Sequence, residues 1–177
     1  MKINVTSIIR EHWATLYNAR SNKIAWIDVA VFYGVPLIAA LCGYATGFSV
    51  KSEAYNVSIT FFGIFLALLL NIQVAIFGIF QRKWEPIVDK RQSDRQKASL
   101  ADRRLLLLEL NSNISYLTFV SCVALICFLV FYVAEWKSGV APATAIALYT
   151  HFLLTFLMIV KRSHALFQRE YLDNNGM

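Results

Sequence analysis

Four apolar stretches, each roughly 20 residues long and separated by charge, limit what this chain can fold into. An α-helix rises about 1.5 Å per residue, so about 20 apolar residues cross a hydrocarbon layer about 30 Å thick. The stretches run 25–48, 57–80, 114–134 and 141–160. Hydrocarbon offers the backbone no water to bond, so a segment that spans it must satisfy its own amides as a helix. The expected fold is an all-α integral membrane protein, a bundle of four transmembrane helices. Composition agrees. The 177 residues are 58% hydrophobic and 16% charged, and the charge falls between the apolar blocks.

Orientation follows from the cations. Lys2, Arg10, Arg20 and Lys23 precede the first span. Arg82, Lys83, Lys90, Arg91, Arg95, Lys97, Arg103 and Arg104 lie between the second and third. Lys161, Arg162 and Arg169 follow the fourth. Of the 17 Lys and Arg residues, only Lys51 and Lys137 fall in the other two connections. Cation-rich loops stay in the cytoplasm, so both termini and the long loop are predicted there, in a bacterial inner membrane. Trp26, Trp84 and Trp136 stand at predicted interfaces, where an indole is favoured. The two outer connections are too short to fold as domains. No cleavable leader is expected, because the first apolar block starts behind an amphipathic stretch and no A-x-A site follows it.

The predicted cytoplasmic side has three parts. Residues 3–20 read as an amphipathic helix, with Ile9, Trp13, Leu16 and Tyr17 on one face, suited to lie on the membrane surface or pack on the loop. Residues 81–113 read as a charged helical hairpin, entered through Arg82-Lys83-Trp84-Glu85-Pro86. There Leu105 to Leu108 and Leu110 would be buried against a neighbouring helix or subunit, and Leu100 to Trp136 would form one helix. Residues 161–177 form a tail. The loop cations could face a cytosolic protein or anionic lipid headgroups, or simply anchor topology. Glu85, Asp89, Asp94 and Asp102 interleave with them, which argues against direct binding of nucleic acid.

No Asp, Glu, Lys or Arg falls mid-span, which argues against ion-coupled transport. Cys42, Cys122 and Cys127 sit singly in apolar blocks, without a Cys-x-x-Cys pair, which argues against disulfide exchange. No phosphate loop, nucleophile elbow or metal-binding pair is present, so neither catalysis nor a cofactor is expected. Polar residues inside the spans draw attention instead. Gly63, Ala67, Asn71 and Ala75 recur every four residues on the second span. Ala143, Ala147, His151 and Thr155 do the same on the fourth. Small residues let membrane helices approach, and a polar side chain among them bonds across the contact. His151 is expected either to be glue, bonded to Asn71 or Gln73, or to be a titrating sensor. Ala39, Gly43 and Gly47 form a packing motif on the first span, and Gly34-Val35-Pro36 should kink it.

A four-span chain with a charged cytoplasmic hairpin and no ectodomain resembles the KwaA-type membrane subunit of the bacterial Kiwa antiphage defence system. The likeness lies in size, topology and texture, through stretches such as Phe61 to Gln81, Leu105 to Phe131 and His151 to Phe167. It implies a homo-tetrameric membrane sensor that carries a cytosolic, DNA-binding partner on its inner face. It transfers no catalytic residues. The expected function is a non-enzymatic, oligomeric sensor and scaffold that recruits or regulates a cytosolic effector. The alternative is a pore or channel that depolarises the cell, drawn from the polar row Asn71, Gln73 and His151. A membrane-impermeant thiol reagent should label Ser138→Cys on intact cells and Ser93→Cys only after lysis, both in a background lacking the native cysteines. The reverse pattern overturns the orientation.

Overall fold

The computed structural model describes residues 5–15, 17, 18, 23, 24, 26–81 and 90–175, with side chains described for 5–15, 26–79, 81 and 103–168. The fold is helical apart from one two-residue pairing. Helix α1 spans Val5–Thr15. Strands β1 (Tyr17–Asn18) and β2 (Lys23–Ile24) pair antiparallel, Tyr17 opposite Ile24. Then come α2 (Trp26–Val29), a π-helical turn (Ala30–Gly34) and α3 (Val35–Ala45). Helices α4 (Ser52–Phe80), α5 (Lys90–Val133) and α6 (Val140–Asn175) complete the chain.

Among the described residues, four stretches are long and apolar enough to cross a membrane: Trp26–Ala45, Ser52–Ile79, Arg103–Val133 and Val140–Gln168. The first crosses with a defect. Proline has no amide to donate, so helices distort just ahead of it. Pro36 stands in the first turn of α3, and the chain before it widens into the π-turn.

The core is aromatic. Helices α4, α5 and α6 close around Tyr55, Phe62, Phe128 and Phe152, all at most 1% exposed. The Phe62 and Phe152 rings meet edge to face at 5.1 Å, and Phe62 meets Phe128 at 5.4 Å. Lipid tails are as apolar as leucine, so such helices associate through packing rather than the hydrophobic effect. Interlocking rings supply many contacts at favoured geometry. Helix α3 packs on the outer side of α6, and α1 packs on α5. The bundle is therefore three helices around a ring core, with the first span added at one flank.

Helix α5 has 44 residues and α6 has 36. At 1.5 Å per residue they are about 66 Å and 54 Å long, well beyond a bilayer core. The six residues 134–139 join them, so both surpluses project from the opposite end. Leu107, Leu110, Ile159 and Leu166 are buried in the core cluster, which carries packing into that region. At the joined end Val50 donates its amide to the Lys137 carbonyl at 2.9 Å, tying the two short connections together.

Several sequence expectations change. The N-terminal helix stops at Thr15 rather than residue 20, and residues 3, 4, 16, 19 and 20 lie outside the described residues. Its terminal carbonyl is taken by Arg162 Nη2 at 2.6 Å, a C-cap supplied from α6. The helix expected from Leu100 to Trp136 is there and unbroken at Ile114, but it starts earlier, at Lys90, and ends at Val133. Arg82 and Lys83 lie outside the described residues, whereas Lys90, Arg91, Arg95, Lys97, Arg103 and Arg104 stand on α5. The leucine run divides. Leu107 and Leu110 point in, while Leu105 and Leu108 are exposed, as a helical period of 3.6 requires.

The glycine motif also divides. A Cβ at Gly43 would drive into the side chain of Ile146 on α6, so Gly43 lets α3 and α6 approach. Gly47 lies past the helix end with φ +66° and open space around it, so it serves the turn. Ala39 is half-buried beside this contact line. Gly43→Leu should destabilise the chain by about 1–3 kcal/mol through overpacking. Gly63, whose nearest foreign heavy atom is Leu125 Cδ1 at 4.0 Å, should accept leucine within about 0.5 kcal/mol. Thermal unfolding in detergent checks both.

Candidate functional site

Several polar residues of the spans gather where α1, the π-turn, α5 and α6 meet. The gathering starts from Pro36. In an α-helix the Phe32 carbonyl would be served by the amide of residue 36, and proline has none. His151 on α6 fills the gap, with Nδ1 at 2.9 Å from the Phe32 carbonyl oxygen. A carbonyl only accepts, so Nδ1 carries a proton and donates. In the neutral ring Nε2 is then an acceptor, and the Tyr116 hydroxyl of α5 donates to it at 2.8 Å. One imidazole thus links the first, third and fourth spans.

Tyr116 extends the cluster to α1. The His12 ring lies flat on the Tyr116 ring, with centroids 3.8 Å apart and planes 4° from parallel. His12 is fully buried. Its Nδ1 donates to Asn113 Oδ1 at 2.8 Å, and the Thr15 hydroxyl reaches the same oxygen at 2.9 Å. The Asn113 amide donates to the Glu109 carbonyl one turn back. Arg162 Nη1 meets Glu109 Oε2 at 3.2 Å. His12 Nε2 is buried with no hydrogen-bond partner. Tyr33, on the π-turn, brings its ring within 5.3 Å of His151 and 5.4 Å of Trp13. Its hydroxyl is buried beside that of Tyr116.

Depth follows from the same contacts. From Arg162 back to His151 is about 16 Å along α6. Through Tyr116, His12 of α1 stands at nearly the depth of His151. The polar edge of α1 is spent on α5, and Ile9 and Trp13 beside it remain partly exposed.

An apolar groove of about 460 Å³ opens beside the cluster, between α3, α5 and α6. Leu37, Val123 and Ala147 form its walls, and Trp13, Tyr33, Tyr116 and His151 line it toward the polar cluster. Among the described residues, no three His, Cys, Asp or Glu side chains gather as a metal ion would need.

The expected intramembrane residues part company here. His151 does not bond Asn71 or Gln73. Gln73 donates to the Ser115 hydroxyl at 2.7 Å, joining α4 to α5. Asn71 is exposed on the far face of α4, with Ala67 and Ala75, and Gly63 is only half-buried. Two residues advance about 200° around a helix, so Asn71 and Gln73 cannot both face the bundle. On α6, Ala143 and Thr155 are buried, and Ala147 is half-buried. Thr155 returns its hydroxyl to the His151 carbonyl at 2.9 Å. Sequence reasoning missed His12, Tyr33, Asn113 and Tyr116. The available signal was Pro36, which leaves an acceptor unserved inside an apolar span.

These helices make the chain a multi-pass membrane protein. No family model, curated protein or solved structure matches it.

His12 ties the position of α1 to pH. Burial pushes its imidazolium down to about 4, against the bond to Asn113, and the nearby His151 and Arg162 add to the lowering. Released α1 would titrate near 6.5 and so binds more protons below that pH. Docking is therefore complete above about 6.5 and weakens as pH falls toward 4. The protection factors of the Val5–Thr15 amides, which remove the intrinsic pH dependence of exchange, should fall over that range and stay level in His12→Gln. Separately, His151→Ala should cost about 1–3 kcal/mol by orphaning the Phe32 carbonyl, with part restored in His151→Gln, whose amide can donate. Thermal unfolding reads that difference.

Proposed function

We propose that this chain is a non-enzymatic, oligomeric scaffold and sensor of a bacterial inner membrane, with both termini in the cytosol. It would present its projecting helices to a soluble effector. One observation carries the reading: the surpluses of α5 and α6 leave the membrane at the same end, while the other end holds only short, mutually bonded connections. The projecting part of α5 bears Lys90, Arg91, Arg95 and Lys97 on one continuous helix. Cation-rich segments of this kind stay on the cytosolic side and attract acidic surfaces, whether protein or lipid headgroup. The resemblance to the membrane subunit of the Kiwa system supports an antiphage role, a tetramer and a DNA-binding partner protein.

His151 fits structural glue on this reading, because it already has two partners. A sensing role would fall instead to the neighbouring cluster that holds α1.

The pore alternative draws on one feature, the exposed Asn71 with Ala67 and Ala75 on the outer face of α4. Within a single chain that row lines no conduit. It could line one only between copies.

The test is to purify the chain in mild detergent with the protein encoded beside its gene. The expected result is a co-eluting complex whose membrane component has a mass several times 20.1 kDa. Replacing Lys90, Arg91, Arg95 and Lys97 together with Glu should release the soluble protein and leave the membrane assembly intact. A monomer that recruits nothing overturns the scaffold reading. Ion leakage from vesicles holding the chain alone, lost in Asn71→Leu, would favour the pore.

A further inference from the structure

We infer that the outer face of α4 docks a second copy of this chain, α4 against α4 in parallel, with the two Asn71 side chains hydrogen-bonded to each other inside the membrane. The inference rests on the oligomeric reading above and names the surface that joins the copies. It starts from the inner face of the same helix. Tyr55, Phe62, Leu69 and Ile76 recur every seven residues, and all are at most 5% exposed. A strict seven-residue period keeps one line of a helix turned toward its neighbour. It keeps the opposite line equally straight. Two residues on, Val57, Ile64, Asn71 and Gly78 repeat with the same period, with Ala67 and Val74 between them, and all six are exposed. Helix α4 therefore carries a second seam, turned away from its own bundle.

Asn71 says what covers that seam. It stands nine residues from Phe80, about 14 Å along the helix, inside a hydrocarbon core about 30 Å thick. The other carboxamide of the helix, Gln73, reaches Ser115 on α5. Asn71 lies on the far face and makes no side-chain hydrogen bond among the described residues. Left to lipid tails, its amide and its carbonyl would find neither acceptor nor donor. The occupant must offer both at this depth. A second copy does so by symmetry. Copies inserted under one charge rule run parallel, so residue 71 of one meets residue 71 of the other at the same level. A carboxamide both donates and accepts, so two identical ones satisfy each other. An unrelated helix would need its own polar group at the matching depth. A single Asn in an otherwise apolar seam is also a device that fixes register between like helices. The neighbours suit the contact. A Cβ at Gly78 would meet nothing within 4 Å in its own chain, so a second backbone can come close there. Val57, Ile64 and Val74 supply stiff, branched side chains to interlock. Paired in this way, Asn71 closes a helix contact and lines no conduit.

The test uses the full chain in lipid vesicles. In a background lacking the native cysteines, Ile64→Cys and Gly78→Cys should each join two copies by a disulfide under copper–phenanthroline and air. Ile72→Cys and Phe77→Cys, exposed at similar depths but off the seam, should not. With donor- and acceptor-labelled copies, Asn71→Val should raise the dissociation constant read by energy transfer roughly fivefold or more, and Asn71→Gln should restore part of the loss. Ala67→Phe should hold the copies apart, whereas Ile72→Phe should leave them together. Assembly that persists in both Asn71→Val and Ala67→Phe, without cross-links on the seam, overturns this face and leaves the oligomeric reading standing. A native chain that stays monomeric overturns both. A cross-link from Ile64→Cys to a different membrane protein, with none between copies, overturns the second copy as the occupant.

Discussion

In hydrocarbon a backbone carbonyl without a donor has no water to turn to, and Pro36 creates that situation at Phe32. The answer, a hydrogen bond from His151 Nδ1, organises the place where α1, the π-turn, α5 and α6 meet. It sets the tautomer of the imidazole, because a carbonyl can only accept. The tautomer makes Nε2 an acceptor and so orients the Tyr116 hydroxyl. The oriented Tyr116 ring is the platform on which His12 stacks, and His12 holds α1. Each link is a modest interaction. In a medium without competing water, each is also hard to replace.

The two halves of the bundle are held differently. Toward the joined end of α5 and α6, contacts are ring on ring, centred on Phe62, Phe128 and Phe152. Toward the projecting end, contacts are polar and directional: His12 with Asn113, Gln73 with Ser115, and Arg162 with both Glu109 and the last carbonyl of α1. Ring packing tolerates small slides. A hydrogen-bonded cluster has few ways to rearrange, and breaking one member strands the others. The half that carries the projecting helices is also the half whose state can change discretely. The titratable His12 sits there.

Much of the fold was legible before any coordinates. Apolar blocks bounded by charge announced four spanning helices, since length and hydropathy alone decide what can cross hydrocarbon. The long leucine-rich helix behind the cationic loop was visible, because nothing between Asp89 and the third span breaks a helix. That Pro36 would disturb the first span was visible too, and the disturbance is the π-turn ahead of it. The site was much less legible. Asn71 and His151 looked like partners from their matching distances to the inner charges, yet depth says nothing about azimuth. Gly43 and Gly47 looked like one motif, yet the helix ends between them.

What the chain alone determined was therefore one-dimensional: which segments leave water, how long they are, and on which side the cations are expected to stay. These depend on transfer free energies summed along a segment, and neighbours in space do not enter. Only the tertiary structure decided which face of each helix meets which other. That choice rests on rings interlocking between α4, α5 and α6, and on a carbonyl at Phe32 finding its donor on a helix more than a hundred residues away. A contact of that kind leaves no periodic trace in the sequence, because its two halves are related only through the fold.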